Sequence, residues 1–224
     1  MTSTFKTGAV PRIFNLNFTP VQPGWTMTFS TIKSYLSQFR IGIAGAGGLG
    51  SNCAAALARS GVGTLVIADY DVIEPANLNR QFYFTDQLGM KKTEALKENL
   101  LRANGEINIF IHQVRLSSEN IPSIFAGCDV VVEAFDQAEM KEMIIETMQT
   151  KMAGIPLIIG SGMAGWGNND SLRCRKIDDS LFICGDESSS ISDELPPMAP
   201  RVGIVANMQA NLAIEILMNK KQSR

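Results

Sequence analysis

The chain predicts a doubly wound α/β fold: a mainly parallel sheet with helices on both faces and an antiparallel extension in its C-terminal half. Three observations carry the prediction. Short apolar runs alternate with stretches of helical period between residues 40 and 160. The first run opens into Gly45-Ala46-Gly47-Gly48-Leu49-Gly50, a glycine turn between a strand and a helix. Beyond residue 170, two short runs flank Asp178-Asp179 and read as a hairpin.

The elements follow in order. Ile32, Tyr35, Leu36 and Phe39 stand at helical spacing and predict a short amphipathic helix within residues 30–39. Arg40 to Ala44 is a buried strand, and Ser51 to Ser60 an Ala-rich helix. Thr64 to Ala68 is the second strand, closed by Asp69, and residues 70–88 are irregular. Lys91 to Ala103 reads as a helix with Leu96, Leu100 and Leu101 inward. Strands are expected at Ile107 to Val114, Asp129 to Ala134 and Ile155 to Gly160, with a helix at Ala138 to Met152. Leu172 to Ile177 and Ser180 to Cys184 form the hairpin strands. Residues 185–200, rich in Ser, acid and Pro, read as a mobile loop. A terminal helix spans Gly203 to Asn219, with Ile204, Val205, Met208, Leu212, Ile216 and Leu217 on its apolar face.

Composition removes several function classes. At 224 residues the chain makes one large domain or two small ones, one being the better fit, and buries roughly 70% of its unfolded surface. It needs no metal or disulfide staple. A net charge of −2 argues against a nucleic-acid or anionic-membrane partner. No apolar run reaches the ~18 residues of a membrane span. His112 is the single histidine, in a strand-like segment, so a His-rich metal centre is excluded. Cys53, Cys128, Cys174 and Cys184 include no C-x-x-C pair, so no structural zinc tetrad is expected. A reduced, cytoplasmic setting fits them.

The N-terminal segment differs from the rest. Residues 1–40 hold no Asp or Glu, and Lys6, Arg12, Lys33 and Arg40 are their only charges. Pro11, Pro20, Pro23 and Gly24 interrupt any helix before Trp25. Residues 1–26 are expected to be a non-catalytic leader, either disordered or upstream of a start at Met27, and residues 27–224 a single catalytic domain.

The glycine turn lets a backbone approach a phosphate closely, and the helix behind it offers free N–H groups to the anion. Asp69 ends the next strand 19 residues after Gly50, where a carboxylate accepts hydrogen bonds from a ribose diol. These features predict a Rossmann-like nucleotide site without choosing between a dinucleotide and ATP. The Walker lysine motif is absent, so phosphate charge must be met elsewhere. Arg80, in Asn77-Leu78-Asn79-Arg80-Gln81, and Lys92, in Gly89-Met90-Lys91-Lys92, are the candidates. Lys92 opens a helix, where a cation opposes the macrodipole unless an anion joins it; a solvated lysine is the plainer alternative. Asp136 follows the strand Val130-Val131-Val132-Glu133-Ala134, at the carboxyl end where open sheets place ligand chemistry. It suits either a Mg²⁺ ligand or a helix cap.

Taken together, the glycine loop with Ser51, Asp69-Tyr70-Asp71, Asn77-Leu78-Asn79-Arg80-Gln81, Gly89-Met90-Lys91-Lys92 and Asp136 resemble the ThiF/MoeB/HesA family, bacterial relatives of ubiquitin-activating enzymes. The resemblance runs from about Arg40 to Leu217. Gly165-Trp166-Gly167-Asn168-Asn169 and Pro196 to Asn207 are most similar to the compact, zinc-free ThiF branch of thiamine biosynthesis.

The resemblance implies an adenylyltransferase acting on the C-terminal Gly-Gly carboxylate of a ubiquitin-like sulfur carrier, ThiS, and working as a homodimer. It implies that Gly45, Gly47, Gly48, Gly50, Asp69 and Asp71 hold ATP. Arg80 and Lys92 bind its phosphates, Asn77 and Gln81 lie near them, and Asp136 ligates Mg²⁺. Cys184 stands near the region where some relatives pass sulfur, as a transfer thiol or as a strand-end cysteine without a role. Three other readings compete: a nicotinamide oxidoreductase, an adenylating enzyme acting on tRNA, and a non-catalytic adaptor. The first leaves Arg80, Lys92 and Asp136 without a purpose; the second expects a basic tail that is absent; the third has no need of Asp136 and Arg80.

Overall fold

A computed structural model describes residues 28–222, with side chains to Lys220. The expected leader, residues 1–26, lies outside the described residues. The backbone builds α1 (Phe29–Leu36), β1 (Arg40–Ala44), α2 (Gly48–Ser60), β2 (Thr64–Asp69), α3 (Lys92–Ala103), β3 (Asn108–Gln113), α4 (Ile121–Ile124), β4 (Val130–Glu133), α5 (Ala138–Lys151), β5 (Leu157–Gly160), β6 (Arg173–Lys176), β7 (Leu181–Gly185) and α6 (Ala199–Gln222). Seven strands form one sheet in the order β3-β2-β1-β4-β5-β7-β6. All neighbours are parallel except β6 on β7. The doubly wound sheet and its antiparallel extension therefore form as the sequence predicts.

Alternation along the strands divides the core. Ile41 and Ile43 of β1 face the α2, α3 and α6 side, where Leu57, Leu96, Val205 and Leu217 are buried. Ala44, Val66 and Val131 face the other side, packed on Phe125, Ile144 and Met148 of the α4–α5 layer. The apolar face of α1 turns inward: Leu36 is fully buried, Ile32 and Phe39 pack on the core, and the Tyr35 hydroxyl donates to the Leu217 carbonyl at 3.2 Å.

Some boundaries and faces differ from expectation. Leu101 on α3 is exposed rather than inward, because Leu96, Leu100 and Ala95 already fill that stripe. The helix α2 starts at Gly48, since the glycine turn itself supplies the first helical residues. α6 starts at Ala199 rather than Gly203: Pro200 is favourable in a first turn, where its missing N–H costs nothing. Ile204 on α6 is exposed. The start of the 185–200 loop is tied to α6. Arg201 and Asp186, both with side chains 5% exposed, pair at 2.6 Å, and Arg201 also donates to the Gly167 carbonyl. No helix among the described residues is long and apolar enough to cross a membrane.

Candidate functional site

β1 lies between β2 and β4, so successive connections leave the sheet in opposite directions there. Such a switch point opens a crevice at the carboxyl ends of the strands. A cleft of about 540 Å³ occupies it, lined by Gly45, Gly47, Gly48, Asp69, Asp71, Arg80, Gln81, Lys92 and Asp136 among others.

The glycine turn is held by its neighbours. Gly45 has φ +99°, a conformation that L side chains rarely adopt. The Tyr83 hydroxyl donates to the Ala46 carbonyl at 2.7 Å, and the Phe82 amide donates to Ser51 Oγ at 3.0 Å. No side chain caps the start of α2 at Gly47, so its first N–H groups stay available to an anion in the cleft. Gly50 does not line the cleft. A Cβ there would lie 1.9 Å from the Gly45 carbonyl oxygen, so Gly50 lets the turn close on α2.

Asp69 sits where β2 ends. The Ala46 amide donates to Oδ2 at 2.6 Å and the Asp71 amide to Oδ1 at 2.7 Å, which fixes the carboxylate's orientation. Burial raises its pKa, against those two amides and the Lys92 charge. Lys92 Nζ lies 2.7 Å from Asp71 Oδ2, with the lysine side chain 7% exposed and the aspartate 44%. This ion pair supplies the anion that a lysine at a helix start lacks. Arg80 uses Nη1 on the Ala76 carbonyl and Asn79 Oδ1, at 3.0 and 2.8 Å. Its own carbonyl accepts from Asn52 Nδ2 on α2 at 2.9 Å, which ties the Asn-Arg-Gln segment to the glycine helix.

Gln81 is buried against the turn, and its Oε1 has no hydrogen-bond partner among the described residues. A buried acceptor left open at a cleft wall is costly unless a ligand or water meets it. Asn77 is not in the wall; its Oδ1 accepts from the Glu74 amide at 3.0 Å and closes the preceding turn. Asp136 is in the wall, exposed and without a partner among the described residues. It does not cap α5, whose N-cap is Gln137 without a side-chain bond.

Cys184 lies apart from the cleft wall. It is fully buried, and its Sγ meets Cys174 Sγ at 2.9 Å. That neighbour, and then burial, push its thiol pKa upward. The described residues contain no group of three or more His, Cys, Asp or Glu arranged to hold a metal.

The structure adds residues that the motifs did not single out. Glu133, fully buried at the end of β4, accepts from Lys141 Nζ at 2.8 and 2.9 Å. Lys141 also donates to the Gly160 carbonyl at 2.9 Å. Burial raises the Glu133 pKa, while Lys141 and the amides of Phe135 and Gly160 pull it down. The pair braces the ends of β4 and β5, and Lys141 lines the same cleft as Asp136. A lone acid in the apolar run Val130-Val131-Val132 was the signal available in the sequence. Arg115, 5.7 Å over the Tyr70 ring, forms the β2–β3 end of the cleft.

The ThiF family model matches residues 28–224. The Caenorhabditis briggsae "Adenylyltransferase and sulfurtransferase MOCS3" is 34% identical over 181 residues, covering 75% of this chain and 43% of that protein. The Salmonella typhimurium "Molybdopterin-synthase adenylyltransferase" is 29% identical over 194 residues, covering 84% of this chain and 76% of that one. The chain thus spans less than half of the first relative and about three-quarters of the second. Among solved structures, Escherichia coli tRNA N6-threonylcarbamoyladenosine dehydratase in complex with ATP superposes with a TM-score of 0.78 at 19% identity, covering 86% of this chain and 91% of that one. That likeness is one of fold.

Proposed function

Because the chain belongs to the ThiF family, we propose that it adenylates the C-terminal Gly-Gly carboxylate of a small ubiquitin-like sulfur carrier, of the ThiS type used to build the thiamine thiazole. The observation that carries this is the cleft at the β1–β4 switch. There the glycine turn, Asp69, two cations and the unpartnered Asp136 converge.

In this reading the α2 N-terminus and glycine amides receive ATP phosphate, and Asp69 accepts from the ribose diol. The carrier's carboxylate is already ionised at neutral pH, so attack on the α-phosphorus needs no general base. One acyl–oxygen–phosphorus bond forms, the α–β phosphoanhydride breaks, and pyrophosphate leaves with the electron pair. Arg80 stabilises the departing charge, and Lys92 does so after exchanging Asp71 for phosphate oxygen. Gln81 lines the cleft, and its buried Oε1, unpartnered among the described residues, is a further acceptor for nucleotide or bound water.

Asp136 fits a Mg²⁺ site, since a solvent-facing carboxylate with no protein partner is the ligand that Mg²⁺ takes alongside phosphate oxygens. When bound, Mg²⁺ would supply positive charge that neutralises the triphosphate. The enzyme is expected to act as a symmetric homodimer, checked by light scattering.

Adenylation is reversible, so enzyme, carrier and Mg·ATP should exchange labelled pyrophosphate into ATP, and only when the carrier's terminal carboxylate is free. Asp136→Ala should abolish the exchange in a protein whose circular dichroism is unchanged. Undiminished exchange in that variant would remove Asp136 from the mechanism. No exchange with any Gly-Gly-ended carrier would overturn the activity itself.

A further inference from the structure

The β6–β7 hairpin carries two cysteines that the adenylation reading leaves unused. Cys174 and Cys184 are opposite one another in the antiparallel register. The Ile177 amide donates to the Leu181 carbonyl at 2.8 Å, so Ile177 and Leu181 form a hydrogen-bonded pair. Pair types alternate along an antiparallel ladder. Arg175 with Ile183 is therefore of the same type, and Cys174 with Cys184 is a non-hydrogen-bonded pair. Such pairs hold their Cα atoms about 4.5 Å apart, inside the ~4.4–6.8 Å span that a disulfide bridges without backbone movement. Their sulfurs are already in contact at 2.9 Å.

Accessibility divides the pair into two roles. Cys184 is wholly buried. Cys174 is partly exposed and lines a shallow groove along α6 with Pro200, Gly203, Ile204, Asn207 and Met208. Contact with the Cys184 thiol lowers the Cys174 pKa against the effect of burial, and exposure makes Cys174 the sulfur that an incoming disulfide can reach. The other two cysteines are the opposite case. Burial pushes the Cys53 thiol up to about 12 and the Cys128 thiol up to about 11. Buried thiols of that kind are inert on their own; Cys184 is raised as well, and what sets it apart is the Cys174 sulfur already in contact with it.

We propose that Cys174 and Cys184 form a redox-active dithiol that exchanges with small disulfides and closes reversibly to a cross-strand disulfide. The Cys174 thiolate attacks one sulfur of a disulfide RSSR. That S–S bond breaks, a Cys174–S–S–R mixed disulfide forms, and RS⁻ leaves and takes a proton. Cys184 then loses its proton and attacks Cys174 Sγ, expelling the second RS⁻. Two cysteine thiols are oxidised, and one RSSR is reduced to two RSH. Closure joins residues ten positions apart in strands already paired, so it demands no rearrangement of the sheet.

The test uses the full chain and oxidised glutathione, read by intact mass and peptide mapping. The expected result is loss of two hydrogens, a peptide linking Cys174 to Cys184, and full recovery with dithiothreitol. Cys184→Ser should stop at a glutathione adduct on Cys174, and Cys174→Ser should leave Cys184 unmodified. Cys184→Ala, which adds no buried hydroxyl, replaces the serine variant if circular dichroism shows that one unfolded. A stable glutathione adduct on the parent, a disulfide involving Cys53 or Cys128, or no reaction of the folded chain would each overturn the proposal. None of these outcomes bears on the pyrophosphate exchange, so this inference and the adenylation reading fail independently.

Discussion

Lys141→Met removes the counter-charge of a carboxylate with no access to solvent. Glu133 is 0% exposed and takes two contacts from Lys141, at 2.8 and 2.9 Å. Breaking a buried pair by removing one partner costs about 3–5 kcal/mol, because the other charge stays buried and unpaired. The Lys141 side chain keeps 22% exposure, which places this pair at the lower end, about 3 kcal/mol. For a domain of this size each kcal/mol moves Tm by about 2–4 °C, so the variant should melt roughly 6–12 °C lower at neutral pH.

The loss should depend on pH. Burial holds the folded-state pKa of Glu133 above its unfolded value of about 4.3, and removing Lys141 raises it further. A group whose folded pKa is raised contributes stability that is complete below the unfolded pKa and is lost as pH rises through the folded one. The difference between parent and variant is therefore small in acid and grows toward neutral pH. Urea melts of both proteins across that range measure it. Glu133→Gln combined with Lys141→Met should recover part of the stability, because no charge is then stranded. A pH-independent difference below about 1 kcal/mol would refute the argument that Glu133 is charged and braced by Lys141.

Arg80→Ala and Lys92→Ala should each slow pyrophosphate exchange on the order of 10²- to 10³-fold, the usual loss for one preorganised electrostatic contact. Asp69→Ala should act through ATP affinity instead, because a ribose contact changes little between ground and transition states; a fall in the saturated rate with unchanged affinity would contradict that division. Gly50→Ala puts a methyl group 1.9 Å from the Gly45 carbonyl oxygen, which the backbone must move to accept. It should cost about 1–3 kcal/mol in urea melts and weaken binding of a fluorescent ATP analogue, and unchanged values for both would show that the turn is looser than its geometry.

How much was legible in the sequence follows from how local each signal is. The glycine turn, the strand it leaves and Asp69 at the next strand end are short-range patterns, and the structure brings them into one cleft. Lys92 was legible as a cation in the wrong place on a helix, but its partner Asp71 was not, since only the fold returns α3 to the end of β2. Letters within one motif also do different work. Gln81 faces the cleft, whereas Asn77, four residues earlier, closes a turn, and the spacing of the motif does not separate the two.

The acids at the end of β4 show the same limit from the other side. Asp136 follows an apolar strand at a position suited to a ligand, whereas Glu133, at the end of that strand, belongs to no motif. A buried acid demands a partner, so the informative question was which cation could reach it. Lys141 is eight residues on, more than two helical turns if the segment were one helix, and adjacent only because a turn reverses the chain between β4 and α5. The Cys174–Cys184 contact likewise depends on hairpin register. Displacing the pairing by one residue would turn one sulfur to the opposite face of the sheet, and the dithiol would not exist. Where the determinant is a pairing across elements, composition and spacing name the residues and the fold alone assigns their partners.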